Sequence, residues 1–529
     1  MTKPLIRIRN IWSVVENIPY EVKQELYEHL SFMVPGSQYS DKFIGNVIDP
    51  EKKKSAWDGK IHLYKKRTST FLTGLVYRTA MFFVKEYNIT PEIIWETKKP
   101  EKTLDLPWND EKFKIRTEYQ SEVVEKCIKK GRGVIECCTG SGKTIMVAKI
   151  IQELGVSPFI FYVLTKDLMY QSKDKLEEAI PGLEVGLIGD GCCKIRDINI
   201  VTVQTATTCY LTERTDKNIK KQINELAKSA NFEELEVKEF KKEKLDHIST
   251  EEKRNSIKNL IMDAVGIYAD EVHHFSAKTC KDVMLKSPNA YYRLGGSATP
   301  QRADNSYLTI EGLFGRKVSI VTASDLIRQK FLVGPTIRFL DLKQKPFLVN
   351  SWAEDRKTHI VENEKRNDYI VRLAQMLISQ GIKTMILVQL ISHGKILKKR
   401  LPGSIFLHGS SPKKERRQVL IDFTEGKVPL LIGSVIADEG LDLPCLSGLI
   451  LAGGGKAATR AKQRVGRAIR VDPLVPYSQQ KSLIFDFMDK GRWVESHSWE
   501  RMQILKEEEE FDVEIVSAEN ALVVQKELF

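Results

Sequence analysis

The stretch Gly133–Leu154 reads GVIECCTGSGKTIMVAKIIQEL. A short apolar run fit for a buried strand comes first, apolar residues at helical spacing come last, and a glycine-flanked turn ending in Lys-Thr joins them. Such a turn aims backbone N–H groups and a helix N-terminus at phosphate oxygens, while the lysine reaches the terminal phosphates and the threonine hydroxyl a magnesium ion. Thr139, Gly140, Ser141, Gly142, Lys143 and Thr144 are therefore read as a phosphate cradle of the P-loop type. The stricter pattern wants glycine where Cys137 stands, but the G-x-G-K-T core and both flanks are intact.

Working outward, the same strand–helix alternation continues on both sides of the cradle. PFIFYVLT, INIVTVQ, GIYADE and RLGGSAT form a first series of apolar runs, and TMILVQL, SIFLHG, PLLIGS, LSGLILAG and SLIFDFMD a second. Buried strands separated by amphipathic helices predict a parallel α/β sheet, so two such sheets are expected in tandem. The boundaries read as a first lobe over 106–342 and a second over 343–499, with Lys345–Asp355 as a hinge and 500–529, carrying EEEE, as a terminal helix and tail. The segment 211–260 interrupts the first series with 12 Lys/Arg against 11 Asp/Glu and is read as a charged, solvated insertion.

Residues 1–105 differ in style. Short β-prone runs surround the helical PYEVKQELYEHL, giving a small α+β domain. It is basic, with 16 Lys/Arg against 11 Asp/Glu over residues 1–100, and SAWDGKIHLYKKRTSTFLTGLVYR sets aromatics among cations. Trp57, Lys60, Lys65, Lys66 and Arg67 are candidates for nucleic-acid contact, the cations on phosphates and an aromatic on an unpaired base. Trp57, Tyr64 and Phe71 also suit the core of so small a domain.

The whole chain has 529 residues, a net charge of +12, 42% hydrophobic and 29% charged residues. These values predict several globular domains and fit a polyanion partner, and they leave little room for a disordered or fibrous protein. Eight cysteines without a C-x-x-C pair argue against a zinc site built on that motif and for reduced thiols, hence a cytoplasmic setting. Neither a signal peptide nor a membrane span is expected from the apolar runs.

A phosphate cradle needs a metal anchor and a means of activating water. Asp270 and Glu271 end the apolar run GIYAD, so Asp270 is assigned to Mg²⁺ together with Thr144, and Glu271 to the attacking water. AKQRVGRAIR places Gln463, Arg467 and Arg470 on one face of an expected helix, where guanidiniums could stabilise charge on a terminal phosphate.

The ordered motifs resemble those of superfamily 2 helicases of the DExH type over about Lys112–Arg492. IRTEYQ, with Arg116 and Gln120, is similar to an adenine-reading motif, and CCTGSGKT to motif I. The resemblance gives Thr165, Gln171, Gln204 and Thr205 backbone-gripping roles on nucleic acid, and Ser434 a similar one at the start of motif V. It makes His273, Ser297 and Thr299 coupling residues, and Glu439, Gly440 and Asp442 part of the nucleotide site. His273, where DEAD-box RNA helicases carry Asp, favours the DEAH/DEXH side.

AWDGKIHLY and TSTFLTGLV ahead of the motor look similar to the small N-terminal domain of UvsW-type phage helicases. The fold implied is two RecA-like lobes preceded by that domain. The activity implied is ATP- and Mg²⁺-dependent unwinding or branch migration of forked or recombination DNA by a monomer, in replication, recombination or repair. Three other readings stay open: an RNA helicase with the same engine, the motor subunit of a restriction or nuclease assembly, and a clamp that binds nucleic acid without turnover.

Overall fold

The computed structural model describes residues 2–44, 56–116, 118–210, 251–299, 306–434, 446–455, 458–472 and 475–521. The chain divides into two units, the second taking over at Val321.

The first unit holds a five-stranded sheet and an eight-stranded sheet. In the small sheet the order is Tyr64–Lys65, Thr70–Leu72, Trp12–Glu16, Leu5–Ile8, Glu92–Trp95, with only the last pair parallel. Alternation in LIRI and WSVVE turns Ile6, Ile8 and Val15 inward, against the helices Tyr20–His29 and Val76–Tyr87. Tyr64 and Phe71 are core residues, as the size of the domain demands. A ribbon of Ser31–Met33 with Lys60–His62 lies apart from that sheet.

The large sheet runs Cys192–Lys194, Gly186–Gly189, Ile198–Thr202, Phe159–Val163, Gly266–Asp270, Tyr292–Ser297, Arg132–Cys137, Lys317–Val321. Its central strands are parallel and buried along their whole length, which is why they read as continuous apolar runs. The cradle strand Arg132–Cys137 and the carboxylate strand Gly266–Asp270 flank Tyr292–Ser297, so their C-terminal ends open on one edge.

The basic domain and the first lobe share one apolar cluster, from Ile6 and Phe83 through Val134 and Ile160 to Phe314. Backbones touch where they meet: a Cβ on Gly74 would lie 1.9 Å from the Glu311 carbonyl oxygen. Beside that contact Arg78 pairs with the buried Glu311 at 2.8 Å, and Arg132 donates to the Asn10 carbonyl.

The second unit is a seven-stranded parallel sheet ordered Ile405–Leu407, Leu430–Gly433, Thr384–Leu387, Gly448–Leu451, Ser482–Phe487, Pro335–Asp341, Asp512–Ser517. Three expectations are corrected here. Pro335–Asp341 pairs with Ser482–Phe487, so the second sheet begins before the boundary placed at 342/343. Lys345–Asp355 follows that strand within the second unit and is not a hinge; Asp355 is fully buried and accepts from the Trp493 and Val494 amides. Finally, the helix expected from 500 spans Val494–Lys506, and where a tail was expected Asp512–Ser517 adds an edge strand whose charged outward residues suit a solvent-facing margin; 522–529 lies outside the described residues.

Of the charged insertion, 211–250 lies outside the described residues. The remainder belongs to the helix Glu251–Asp263, whose Ile257, Leu260 and Ile261 join the first unit's core. No helix of the described residues is long and apolar enough to cross a membrane.

Candidate nucleotide and nucleic-acid site

The cradle forms between the strand Arg132–Cys137 and the helix Lys143–Leu154. Gly140 and Gly142 have φ of +88° and +81°, a conformation that side chains with a Cβ resist. Gly142 caps the helix, so the first-turn residues Lys143 and Thr144 follow directly on the loop. The Lys143 ammonium donates to the Cys137 carbonyl at 2.9 Å. Ser141 is buried within the loop beside Thr139 and Gly140, and its amide donates back to the Cys138 carbonyl.

Gln120 sits against this loop. A Cβ on Gly142 would come within 2.6 Å of the Gln120 amide nitrogen, so the glycine also provides close approach. Gln120 accepts from the Arg116 amide at 3.0 Å, and both Arg116 Nη1 and Gln120 Nε2 donate to the Tyr119 hydroxyl. The two residues assigned to adenine therefore form one polar cluster with Tyr119, a partner that sequence reading missed.

Asp270 ends its strand, and Glu271 reverses the chain with φ of +48°. Burial, then repulsion from Glu271, pushes the Asp270 carboxyl up to about 7, while Lys143 opposes the rise. The Tyr268 hydroxyl, two residues back on the same strand face, also opposes the rise. Tyr268 packs on Phe161 at 4.7 Å between ring centroids, and its hydroxyl fills the space a Cβ on Gly296 would need. Nothing in the spacing of GIYADE announced that tyrosine.

Ser297, at the end of Tyr292–Ser297, has its hydroxyl 2.9 Å from His273 Nδ1 and 3.4 Å from Glu271 Oε2. The Thr299 amide donates to the same hydroxyl. His273, Ser297 and Thr299 thus meet beside the Glu271 carboxylate.

The left-handed glycines, a lysine and threonine opening a helix, and two carboxylates opposite supply N–H groups, a cation and hard oxygens. This donor set fits a magnesium–nucleoside triphosphate. Lys143 and the loop amides would hold phosphate, and Thr144 and Asp270 the ion.

Among the residues assigned to the nucleic-acid backbone, Thr165 caps the helix Lys166–Ala179, accepting from the Leu168 amide, and Gln171 lies on that helix. Gln204 donates to the Leu164 carbonyl, and the buried Thr205 accepts from Thr202. Gln204 hence ties the segment after Ile198–Thr202 to the end of Phe159–Val163.

In the second unit Ser434 follows the strand Leu430–Gly433 and is buried. Glu439, Gly440 and Asp442 lie outside the described residues, as do the side chains of Gln463 and Arg467, whose backbone is in the helix Ala458–Ala468. Arg470 does not share a helical face with them. The helix stops at Ala468, and Arg470 forms an antiparallel bridge with Leu332, where burial lowers its pKa.

The loop leading into that helix is fixed from beneath by two buried arginines. Arg366 pairs with Asp489 at 2.7 Å and donates to the Ala452 carbonyl; Arg501 grips both oxygens of Asp486 and donates to the Gly455 carbonyl. The signal for them was present in SLIFDFMD, where one carboxylate interrupts an otherwise apolar strand and a second follows its end.

In the small domain the Trp57 indole donates to the Lys60 carbonyl, and Lys60 pairs with Glu28 at 2.6 Å. Lys65 lies 3.8 Å from the Trp12 ring centroid, and Lys66 lies over Tyr27 and donates to Gln24. Arg67 occupies the turn between Tyr64–Lys65 and Thr70–Leu72.

Fold and site together define a P-loop protein with two RecA-like parallel sheets. The profile of the type III restriction enzyme res subunit matches residues 113–302, and that of the helicase conserved C-terminal domain matches residues 366–472. The chain belongs to the superfamily 2 helicases.

A helicase-designated protein of Sulfolobus islandicus filamentous virus is 29% identical over 52% of this chain and 53% of its own length. The DNA 3'-5' translocase XPB2 of Sulfurisphaera tokodaii is 23% identical over 77% of this chain and 89% of its own. The chain thus spans about half the length of the viral relative. Among solved structures, Dbp5 of S. cerevisiae bound to RNA and ADP BeF3 shares the fold, with a TM-score of 0.53 and 14% identity over 79% of this chain and 94% of that one. T4 UvsW aligns along 98% of this chain and 100% of its own at 16% identity, with a TM-score of 0.44.

Proposed function

We propose that this protein is an ATP-dependent DNA helicase or translocase that unwinds or branch-migrates forked, junction or recombination intermediates. One observation carries the reading: Lys143, Asp270, Glu271 and Ser297 converge at the ends of adjacent strands of one sheet, with His273 joined to Ser297. The DNA-directed name of the Sulfurisphaera tokodaii relative favours DNA as the track.

In this reading Lys143 and the loop amides bind the β- and γ-phosphates, and Thr144 and Asp270 hold the ion. The ion supplies charge neutralisation between phosphate oxygens. Glu271 orients the attacking water, and Arg116 and Gln120 hold the base. Gln463, Arg467 and Arg470 supply polar and cationic groups from the second sheet, with Glu439, Gly440 and Asp442 of motif V in support. His273, Ser297 and Thr299 transmit nucleotide state, while Thr165, Gln171, Gln204, Thr205 and Ser434 grip the strand. The basic domain adds contacts from Trp57, Lys60, Lys65, Lys66 and Arg67.

The deciding experiment compares ATPase rate and strand separation on single strands, forks, four-way junctions, RNA–DNA hybrids and matched RNA. Fork- or junction-stimulated turnover that Lys143→Ala abolishes in a folded protein is the expected result. RNA-only stimulation overturns the DNA assignment, and a flat ATPase rate with ATP-dependent binding makes the protein a clamp. The res-subunit profile match favours a second reading, a restriction motor; cleavage of duplex DNA on adding a nuclease partner identifies that case.

A further inference from the structure

Away from the nucleotide site, Glu28 in the last turn of Tyr20–His29 meets Asp58 and His62 at the strand Lys60–His62. One ligand atom from each lies within 4.8 Å of the others. His62 is held hard. Its side chain is nine-tenths buried, its ring is stacked on Tyr27 with centroids 3.6 Å apart and planes 7° from parallel, and its Nδ1 lies 3.1 Å from the Tyr27 carbonyl oxygen.

A carbonyl oxygen can only accept, so Nδ1 carries the hydrogen. Nε2 then faces Asp58 Oδ2 at 2.6 Å, a separation bridged by either a proton or a metal ion, while Asp58 Oδ1 accepts from the Lys60 amide. One ring nitrogen anchored on a backbone oxygen, with the other offered beside carboxylates, is the arrangement that orients metal-binding histidines.

We propose that Glu28, Asp58 and His62 form a binding site for a divalent transition-metal ion of the zinc type. An imidazole with two carboxylates suits zinc, three protein ligands leaving a fourth position to water. Bonds of about 2.0 Å at a tetrahedral ion set neighbouring ligand atoms about 3.3 Å apart, so Nε2 and Oδ2 need to separate by less than about 1 Å. Glu28 would exchange Lys60, now 2.6 Å from its Oε2, for the ion. The bound ion would staple the helix Tyr20–His29 to the ribbon, in a small domain where such a link adds most.

The test uses the full chain, stripped with chelator and kept in excess Mg²⁺ without nucleotide so that hard-oxygen sites are filled. Zinc chloride is titrated by calorimetry, and Co²⁺ by its visible absorption. One equivalent per chain is expected, with affinity reduced at least about tenfold by Glu28→Ala and by about a hundredfold or more by His62→Gln. Glu28 is half exposed on a helix surface, so its variant keeps the test valid should the His62 variant misfold. A wild-type chain that takes up neither ion overturns the proposal. Binding unchanged in both variants also overturns it, by placing the ion elsewhere.

Discussion

The hydroxyl of Ser297 lies 2.9 Å from Nδ1 of His273, fastening the segment after one strand to the segment after its neighbour at the point where Glu271 turns. The same oxygen accepts from the Thr299 amide. Ser297→Ala removes the oxygen that joins His273, Glu271 and that amide. ATPase without nucleic acid is expected to stay within about threefold of wild type, while stimulated turnover and strand separation fall by about tenfold or more. Steady-state rates with and without forked DNA check this; equal loss in both would make Ser297 part of the chemistry alone.

Asp270 illustrates a site held at a cost to stability. Its carboxyl is raised, so the folded chain takes up a proton as pH falls below about 7, whereas the unfolded chain does so only in the usual carboxylate range. The penalty is therefore complete above about 7 and relaxes on acidification. Asp270→Asn should raise the unfolding midpoint by an equivalent of about 1–3 kcal/mol near pH 8 and by less near pH 5, while abolishing hydrolysis. Thermal melts across pH, without Mg²⁺ and nucleotide, measure the difference.

Gly296 and Tyr268 form a matched pair, since a Cβ on the glycine would stand 2.1 Å from the tyrosine hydroxyl. Gly296→Ala is expected to cost about 1–3 kcal/mol by displacing the ring that supports Asp270. Tyr268→Phe in the same chain removes the clashing oxygen and should recover part of that stability but not full ATPase, because Asp270 loses the hydroxyl that favours its charged form. Denaturant unfolding and turnover of the two single variants and the double variant separate the effects.

Arg501 and Asp486 are both buried and joined by two hydrogen bonds beneath the loop that enters the arginine-bearing helix. Removing either partner leaves a buried charge, so Arg501→Met or Asp486→Leu is expected to cost about 3–5 kcal/mol. The double variant should be less destabilised than the sum of the two. A double-mutant cycle by chemical denaturation gives the coupling, and additive losses would contradict it.

Much of this was legible before any coordinates. Parallel, doubly covered strands must be continuously apolar, so GVIEC, PFIFYVLT, PLLIGS and SLIFDF declared themselves, and a phosphate loop must combine left-handed glycines with a lysine at a helix start. Local chemistry also placed Asp270 and Glu271 at a strand end. The boundaries were less legible: Pro335–Asp341 and Asp512–Ser517 join the second sheet through hydrogen bonds to strands far away in sequence, which no local period records.

By itself the sequence determined the continuously apolar strands at the heart of both sheets and the glycine-flanked turn that opens a helix with Lys-Thr, because those patterns depend on neighbours within a few residues. Only the tertiary structure decided that Gln120 backs the glycine loop, that Tyr268 supports Asp270, that Arg470 leaves its helix, and that the basic domain shares a core with the first lobe. Each of these is a contact between residues brought together by burying apolar surface, and its partner is chosen by shape and desolvation rather than by spacing along the chain.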